Sequence, residues 1–513
     1  GTLNADSVEV NADGTAAANA LTKTPAIAAG VANIAANTVV AILSATQKAH
    51  IDGIVIITPG KVEVISVLND GTGEGAVAEL GSSLDVSSTS ISVVGAEVNI
   101  ATAIANAVNH AYINGASIGS PAARAGAVTV KVEGQSLAAA QIEATANSIG
   151  LISLGLTTLY ATASGDYRAY IDTTGARIYA ASLQVDNTYT SRANAETTQA
   201  MGGIHASWVD VEGNIATAVV NTNAEAGIKG NGIINTTGTI KVNAAGTADA
   251  LAGVMTPTVS ISYIKIAANI LTAKLAAQQK SYIENVKITS AGDVTVTSSL
   301  NESAGHGAIA KLGSSADSLG AEVSYYGGTA SSAIAVFEAV NHAYVKGASF
   351  GDLTTRTGGL AVESAGNSIA TADISNGALS AGLVTIGLAV LYAHANGDYQ
   401  AYVDASGAVL NVDSLTVKTN YTAKANARTT QPIGGAISGL NVGTNIAQAG
   451  AGIKAEAGIK GNGEIITAGA VDVQANGTVT AEAGVVTPAI TLSGINIAVN
   501  VIKATLEAEQ KAY

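Results

Sequence analysis

Small or apolar residues alternate with polar ones along a stretch that returns nine times in the chain. One example places Ala101, Ala103, Ala105, Ala107, Asn109, Ala111 and Ile113 on one face. The same alternation occupies residues 39–51, 159–171, 216–228, 271–283, 333–345, 391–403, 447–459 and 502–512. Strand side chains repeat every two residues, so this period predicts β-strands even where the alanine content would favour helix.

A second pattern precedes each of these stretches. The apolar residues Ile152, Leu154 and Leu156 lie on one parity, whereas Leu159 and Ala161 lie on the other. The same change falls between residues 270 and 271, 390 and 391, and 501 and 502. A slip of one residue moves the apolar face of a strand, so we expect a bulge or corner at the point where the parity changes. In each copy this point lies ten residues before a small residue such as Ala169.

A short strand signal follows each long one. Glycine and an alternating pair occur at residues 60–64, 126–132, 238–242, 292–296 and 469–473, after runs of turn-forming residues. Each unit is therefore predicted as turn, short strand, polar bend and long strand. A unit of about 57 residues is small for a sandwich of about 100 residues. We interpret it as two or three coils that stack at about 4.8 Å, which at about 20 residues per coil predicts a rod on the order of 120 Å long.

The spacing of the long stretches defines the organisation of the chain. One small residue anchors each stretch: Ala49, Ala111, Ala169, Ala226, Ser281, Ala343, Ala401, Ala457 and Ala512. The gaps between these anchors are 62, 58, 57 and 55 residues, then 62, 58, 56 and 55. NHAYINGASIG at 109–119 returns as NHAYVKGASFG at 341–351. The pattern indicates a repeat architecture and predicts a piece of a longer repeat protein.

The predicted fold class is all-β, an elongated and repetitive β-solenoid of β-helix type. It is built from units of about 57 residues in four-unit blocks of about 231 residues. The predicted divisions are a partial unit at 1–48, a four-unit block at 49–280, a second block at 281–511 and the start of a further unit at 512–513.

Composition narrows the functional classes. The 513 residues are 48% hydrophobic and 12% charged, with two Phe and one Trp, so the core must be thin and closely packed. The net charge of −14 repels phosphates and anionic membranes, which disfavours a general nucleic-acid role. Cysteine is absent, which excludes disulfides, thiolate catalysis and cysteine metal sites. The apolar run at 378–393 is shorter than the roughly 20 residues of a membrane-spanning helix and contains two glycines.

Candidate chemical sites are few. His50, His110 and His342 occupy equivalent positions, yet no second ligand type accompanies them, so outward-facing histidines are favoured over a metal site. Acidic turn pairs at 13–14, 70–74, 165–166 and 397–398 could hold surface Ca²⁺, but plain turns are favoured. GNG at 230–232 and 461–463 lacks the helix that a phosphate loop needs. No catalytic, cofactor-binding or metal-binding residue is predicted, and a non-enzymatic role is expected.

Tyrosines directly follow six of the anchors. Tyr112, Tyr170, Tyr282, Tyr344, Tyr402 and Tyr513 should therefore lie on the face opposite the alanines. A stripe of this kind suits contact with carbohydrate or protein, although a stabilising ladder of like residues is the favoured interpretation. Trp208 has no counterpart in the other block and is interpreted as incidental.

Units with an alternating Ala/Val strand, the element Ala-Tyr-Ile/Val and a following turn resemble the repeats of giant bacterial filamentous adhesins. The matching residues are 111–115, 169–172, 343–347 and 401–404. The leukotoxin-like and filamentous-haemagglutinin-like surface proteins are the nearest in kind, and the resemblance extends over essentially the whole chain. It implies export, a β-solenoid stalk and attachment at the bacterial cell surface.

The leading hypothesis is a structural or adhesive segment of a bacterial cell-surface or extracellular fibre. Its expected partners are neighbouring repeats, copies of itself, or a surface protein or carbohydrate. A self-assembling filament, sheath or surface-layer subunit is the alternative. Two weaker alternatives are a β-helix enzyme acting on polysaccharide, for which arginines are too few and do not cluster, and an outer-membrane barrel, for which the aromatic girdles would rest on tyrosine alone.

Overall fold

The structure is a computed structural model that describes residues 1–24, 27–71, 75–82, 88–143, 146–197, 204–255, 259–290, 292–303, 305–313, 320–352, 355–375, 378–430, 435–486 and 490–513. These parts of the chain form 29 β-strands and no helix. The predicted all-β class is therefore confirmed.

The strands fall into nine long ones and twenty shorter ones. In chain order they are β1 (Thr2–Asn4), β2 (Val8–Gly14), β3 (Ala17–Thr24), β4 (Ile27–Asp52), β5 (Val55–Ile57), β6 (Val62–Leu68), β7 (Gly75–Ser82), β8 (Ser88–Asn114), β9 (Ser117–Ile118), β10 (Ala125–Glu143), β11 (Ala146–Asp172), β12 (Arg177–Thr197), β13 (Ile204–Lys229), β14 (Ile233–Thr236), β15 (Ile240–Met255), β16 (Val259–Glu284), β17 (Lys287–Ser290), β18 (Val294–Leu300), β19 (Ala308–Gly313), β20 (Gly320–Lys346), β21 (Ser349–Phe350), β22 (Leu360–Ser375), β23 (Ala378–Asp404), β24 (Val409–Val412), β25 (Leu415–Thr430), β26 (Gly435–Lys460), β27 (Glu464–Thr467), β28 (Val471–Val485) and β29 (Ile490–Ala512).

The nine long strands form one parallel sheet. Their order across the sheet is their order along the chain, from β4 through β8, β11, β13, β16, β20, β23 and β26 to β29. The register aligns Ala49 with Ala111, Ala111 with Ala169, and so on through every anchor to Ala512. The anchors identified from the sequence thus stand in one column across the sheet.

The twenty shorter strands form a second sheet, again through parallel pairings such as β10 with β12. After each long strand the chain turns, runs along the second sheet and returns to the first. A residue with positive φ stands at each of these turns: Gly53, Gly115, Gly175, Gly230, Asn285, Gly347, Gly407 and Gly461. Glycine and asparagine adopt this left-handed conformation at the lowest steric cost, which explains why Gly and Asn punctuate the sequence there.

The two sheets face each other across a core of small side chains. The Ser136 hydroxyl of β10 donates to the carbonyl oxygen of Ser164 in β11 at 2.9 Å. The predicted inward residues Ala105, Ala161, Ala335 and Ala393 are all buried, so that prediction is confirmed. Alanine keeps the two sheets close together over most of their width.

Amide side chains connect the sheets at the centre of this core. Asn109 Nδ2 donates to the carbonyl oxygens of Ser66 at 3.1 Å and Glu133 at 2.6 Å. Asn341 makes the same pair of bonds, to Ser298 at 3.0 Å and Ala365 at 2.7 Å. A buried amide is costly unless its donors and acceptors are paired, so these bonds allow a polar residue inside the ladder.

The corner predicted ten residues before each anchor is in the wrong place. Burial alternates without a break from Ile270, which is exposed, to Leu271, which is buried. The bend lies about eight residues earlier, where Tyr325 and Tyr326 are consecutive and both exposed. The pairing is interrupted there in every pair of long strands, by one residue as at Val31 and Val93, and by two residues between β20 and β23. The change of apolar parity arises because apolar residues cover the outer face between the bend and the ladder.

The long strand folds back at this bend. Ser136 faces Ser164, and β10 ends seven residues after Ser136, so its end lies opposite residue 157 of β11. The part of β11 before residue 157 consequently extends beyond the facing strand, and its pairing with both neighbours is interrupted at Leu151. The corresponding N-terminal part of every long strand lies along the same side of the molecule.

The predicted coil size is also wrong. Hydrogen-bonded neighbours in the long-strand sheet are separated by 55 to 62 residues along the chain. One unit therefore adds one long strand to the first sheet and one row of shorter strands to the second, and the interpretation of two or three coils per unit fails. Nine strands at about 4.8 Å give a stack of roughly 40 Å, not a rod of 120 Å. The error came from assuming a coil of about 20 residues, when the strands are far longer.

The apolar run at 378–393 lies in strand β23. Over the described residues, no helix is long and apolar enough to cross a membrane.

Candidate binding surfaces

The tyrosines that follow the anchors form an aromatic ladder on the outer face of the long-strand sheet. His50, Tyr112 and Tyr170 stack in sequence, with ring centroids 5.0 Å apart at both steps. A second run joins Tyr282 to Tyr344 at 5.5 Å and Tyr344 to Tyr402 at 5.0 Å. The prediction that these rings lie opposite the alanines is confirmed.

Glycine interrupts the ladder in every fourth long strand, β13 and β26. Gly227 and Gly458 occupy the positions where tyrosine would stand, and a Cβ on either would meet the ring of the next tyrosine. Lysines cover the ends of the two runs, with Lys229 Nζ 4.7 Å from the centre of the Tyr170 ring and Lys460 Nζ 4.2 Å from that of Tyr402. Each run is therefore a short aromatic platform that ends in a cation.

The platform is partly withdrawn from water. Burial, with the charges of Glu284 and Asp404 nearby, raises the pKa of Tyr402 to about 12. Burial and Glu284 likewise raise the pKa of Tyr344. Both phenols therefore stay neutral at ordinary pH, and their hydroxyl groups can serve as hydrogen-bond donors to a ligand.

A histidine–aspartate pair recurs beside each run. His110 Nε2 lies 3.1 Å from Asp166 Oδ2, and His342 Nε2 lies 3.3 Å from Asp398 Oδ2. Arg168 Nε donates to Asp166 at 2.8 Å. Burial alone would raise the pKa of Asp166, but the bonds from His110 and Arg168 outweigh it and lower that pKa to about 2.

These pairs correct two sequence-based interpretations. Gly165–Asp166 and Gly397–Asp398 lie within the long strands β11 and β23, not in turns. His110 and His342 do have an aspartate partner, which the sequence hides because it stands one strand further on. The predicted equivalence of His50 is wrong, because His50 aligns with Tyr112 and pairs with Asp52 of its own strand at 3.5 Å. Asp13 lies in β2, and Asp70 is in the loop after β6, while the predicted continuation at 72–74 falls outside the described residues.

In the parts of the chain that the structure describes, no group of three or more His, Asp or Glu residues could hold a metal ion. A shallow groove of about 680 Å³ crosses β16 to β29 and is lined by Glu338, Asp398, Lys454 and Glu507 among others. The GNG segments form the turns after β13 and β26, where a Cβ on Gly232 would meet the backbone oxygens of Thr173 and Ala176. Close backbone approach accounts for those glycines.

Exposed apolar residues concentrate on the N-terminal part of the long strands, around the bend. We call it the apolar edge, and it comprises the outward side chains of residues 29–38, 91–100, 149–158, 206–215, 261–270, 323–332, 381–390, 437–446 and 492–501. Leu151, Ile266, Ile386 and Ile495 are between 52% and 59% exposed. None of its outward residues is charged, because the charged residues in these ranges point inward.

Trp208 belongs to this edge and is part of an aromatic stack that the sequence analysis did not predict. Its ring stacks on Tyr263 at 4.8 Å, and Tyr263 stacks on Tyr325 at 4.9 Å. A groove of about 580 Å³ runs beside these rings, between Ile261, Val323 and Leu383. Sequence reasoning overlooked the stack because its members lie in different units and differ in residue type.

One charged cluster lies inside the edge. Asp210 is fully buried and stands beside Lys265 of the next strand, while Ser260 Oγ is 3.4 Å from Asp210 Oδ2. Burial raises the pKa of Asp210 to about 7, and the charge of Glu212 acts in the same direction against the opposing effect of Lys265.

Comparison with known protein families, curated proteins and solved structures gave no match to this chain.

Proposed function

We propose that this chain is a structural and adhesive segment of a bacterial cell-surface or extracellular fibre. In this proposal the two stacked sheets are a β-solenoid that acts as scaffold, and binding takes place on the side-chain columns of its surface. No catalytic step is part of the proposed role.

The alignment of the nine anchors is the observation that most supports this proposal. Because the register is kept from β4 to β29, each outward position repeats across the sheet as a column. Columns of stacked tyrosine, of His–Asp pairs and of aliphatic residues follow directly from that register. Surfaces that repeat in this way favour extended, multivalent contact over a single pocket.

The location can be tested with antibodies raised against the chain. Intact cells of a producing bacterium should be labelled to the same extent as permeabilised cells. Labelling that requires permeabilisation would contradict the surface role. A parallel assay of polysaccharide breakdown by the purified chain should give no product, and turnover would instead favour the β-helix enzyme.

The adhesive surface can be tested on the aromatic platforms. Tyr170→Ser and Tyr402→Ser remove one ring from each platform without disturbing the buried alanines. If the platforms bind, retention on immobilised glycans or matrix proteins should fall at least tenfold in the double variant. Tyr392→Ser, on an exposed ring outside both platforms, is the matched control and should bind as the parent does.

A self-assembling extracellular filament, sheath or surface-layer subunit is the second candidate. The apolar edge is the observation that favours it, because exposed apolar surfaces of this extent are usually covered by a partner.

A further inference from the structure

We infer that the apolar edge is the surface through which two copies of this chain associate side by side. This inference deepens the assembly role proposed above and does not depend on the adhesive role. It rests on four properties of the edge: its residue composition, its lack of charge, its area and its regular shape.

The composition of the edge does not suit a surface left in water. Ile266 and Ile386, in inner strands of the sheet, are each 53% exposed, and aliphatic or aromatic residues occur on the outer face of all nine long strands. Single exposed apolar residues are common, but a continuous field of them marks a binding surface. The charged residues Glu97, Asp210, Glu212 and Lys265, which lie in the same segments, are turned inward.

The charge of the chain favours a second copy of the same chain as the partner that covers the edge. The chain carries a net charge of −14, so most approaches between two copies are repulsive. The edge is a large uncharged surface, so two copies can approach there with the least repulsion. A lipid surface fits less well, because interfacial binding to anionic lipids uses lysine and arginine beside the apolar residues.

The area and shape are sufficient. Between the bend and the alternating stretch, the edge spans nine strands spaced about 4.8 Å apart and about seven residues with a rise of about 3.3 Å each. The area of this part is therefore roughly 1,000 Å² per copy. A stable interface needs about 800 Å² from each partner. Columns of Ile, Val and Leu on a regular sheet face are also the surface that packs against a second sheet in β-sandwiches, at about 10 Å.

The test is sedimentation velocity of the whole chain, whose mass is 50.5 kDa. We expect a dimer or larger species at micromolar concentration, and we expect added NaCl to strengthen it by screening the repulsion between acidic bodies. The triple variant Leu154→Glu, Ile266→Glu and Ile386→Glu places one charge in each of three strands of the edge. It should be monomeric and should keep the far-ultraviolet circular dichroism of the parent.

The matched control places glutamate on three exposed apolar residues outside the edge, Ile42, Ile57 and Ile465. It should associate as the parent does. A parent that is monomeric at about 100 μM at every salt concentration tested, or an edge variant that still associates, would overturn the inference. That result would leave the scaffold and adhesive roles intact, since neither depends on association.

Two further measurements cover the remaining outcomes. If the triple variant fails to fold, Ile266→Cys can replace it, because the chain has no other cysteine. A polarity-sensitive dye attached to the Ile266→Cys variant should shift to the blue with rising protein concentration, whereas a dye on the Ile42→Cys variant should not. If instead the parent stays monomeric and sediments with phosphatidylcholine vesicles while the edge variant does not, the occupant is a lipid surface and the inference is wrong.

Discussion

Glycines facing buried tyrosines determine how large a ring this thin core can hold. Tyr167, Tyr189, Tyr399 and Tyr421 lie between the sheets, where alanine otherwise predominates. A Cβ added to Gly246 would overlap the ring of Tyr189. The tyrosine and its glycine, which are aligned on neighbouring strands, therefore act as one packing unit.

Replacement of Gly246 by alanine should destabilise the protein by about 1–3 kcal/mol, because overpacking forces the ring or the backbone to move. Chemical denaturation measures the change. Gly443→Ala is the control, since its Cβ would meet nothing within 4 Å. If both variants unfold at the same denaturant concentration, the packing of Tyr189 against Gly246 is not as described.

Asp210 gives stability a dependence on pH. Its pKa is raised from 3.8 to about 7 in the folded state, so the folded chain binds the proton more tightly than the unfolded chain. The corresponding stability is complete below about pH 4 and is lost as the pH rises through about 7. Asp210→Asn should remove that loss, raising stability at pH 8 by up to about 4 kcal/mol and leaving it unchanged at about pH 4. Thermal unfolding at the two pH values would show it.

Asp166 provides the opposite case and serves as a control. Its pKa is lowered to about 2, so its contribution is present above about pH 4 and is lost as the pH falls toward 2. Asp166→Asn should therefore destabilise the protein at neutral pH and have little effect at about pH 2. The same pH dependence in both variants would mean that the environments of the two carboxyls have been misassigned.

At the scale of the strand, alternation in the sequence predicts the inward face well. Ala161 is buried, and Tyr160 next to it is exposed. Ala161→Glu should bury an unpaired charge and cost roughly 3 kcal/mol or more, whereas Tyr160→Glu should cost little. Melting temperatures of the two variants measure the difference, and similar values would contradict the inward assignment.

The bend could not be located from alternation alone. Apolar residues such as Leu154 and Leu156 resemble a second buried face in the sequence, but they are exposed. Only the packing of the sheets shows that the small residues Ser153 and Gly155 occupy the narrow interior there. The His110–Asp166 pair was hidden for a related reason, since the two residues become neighbours only when the register between β8 and β11 is known.

At the scale of the whole molecule, the anchors predicted the order and register of the long strands, but not the number of strands per unit. Periodicity states where equivalent residues recur, and it does not state how many times the chain crosses the sheet between them. In the structure the chain returns to the long-strand sheet once in every 55 to 62 residues. It leaves each long strand through a turn at a residue such as Gly175.

A fragment that contains whole layers of this stack should fold by itself, because each strand is hydrogen-bonded mainly to the strands of the layers before and after it. A fragment of residues 49–280 should fold, with circular dichroism per residue equal to that of the whole chain. A fragment of equal length, residues 160–391, cuts β11 and β23 near their middles and should show less strand signal, whereas the cuts at 49 and 280 fall within the last residues of β4 and β16. Loss of structure in the first fragment would mean that its stability depends on the rest of the chain.

The distance between two spin labels tests the central claim most directly. The chain lacks cysteine, so Asp52→Cys and Lys460→Cys would carry unique labels at equivalent positions of β4 and β26. Seven strand steps of about 4.8 Å place these positions roughly 34 Å apart, whereas coils of about 20 residues would separate them by roughly 100 Å. Pulsed electron paramagnetic resonance should give a distance near the first value. A distance beyond about 50 Å would contradict the one-strand-per-unit stack.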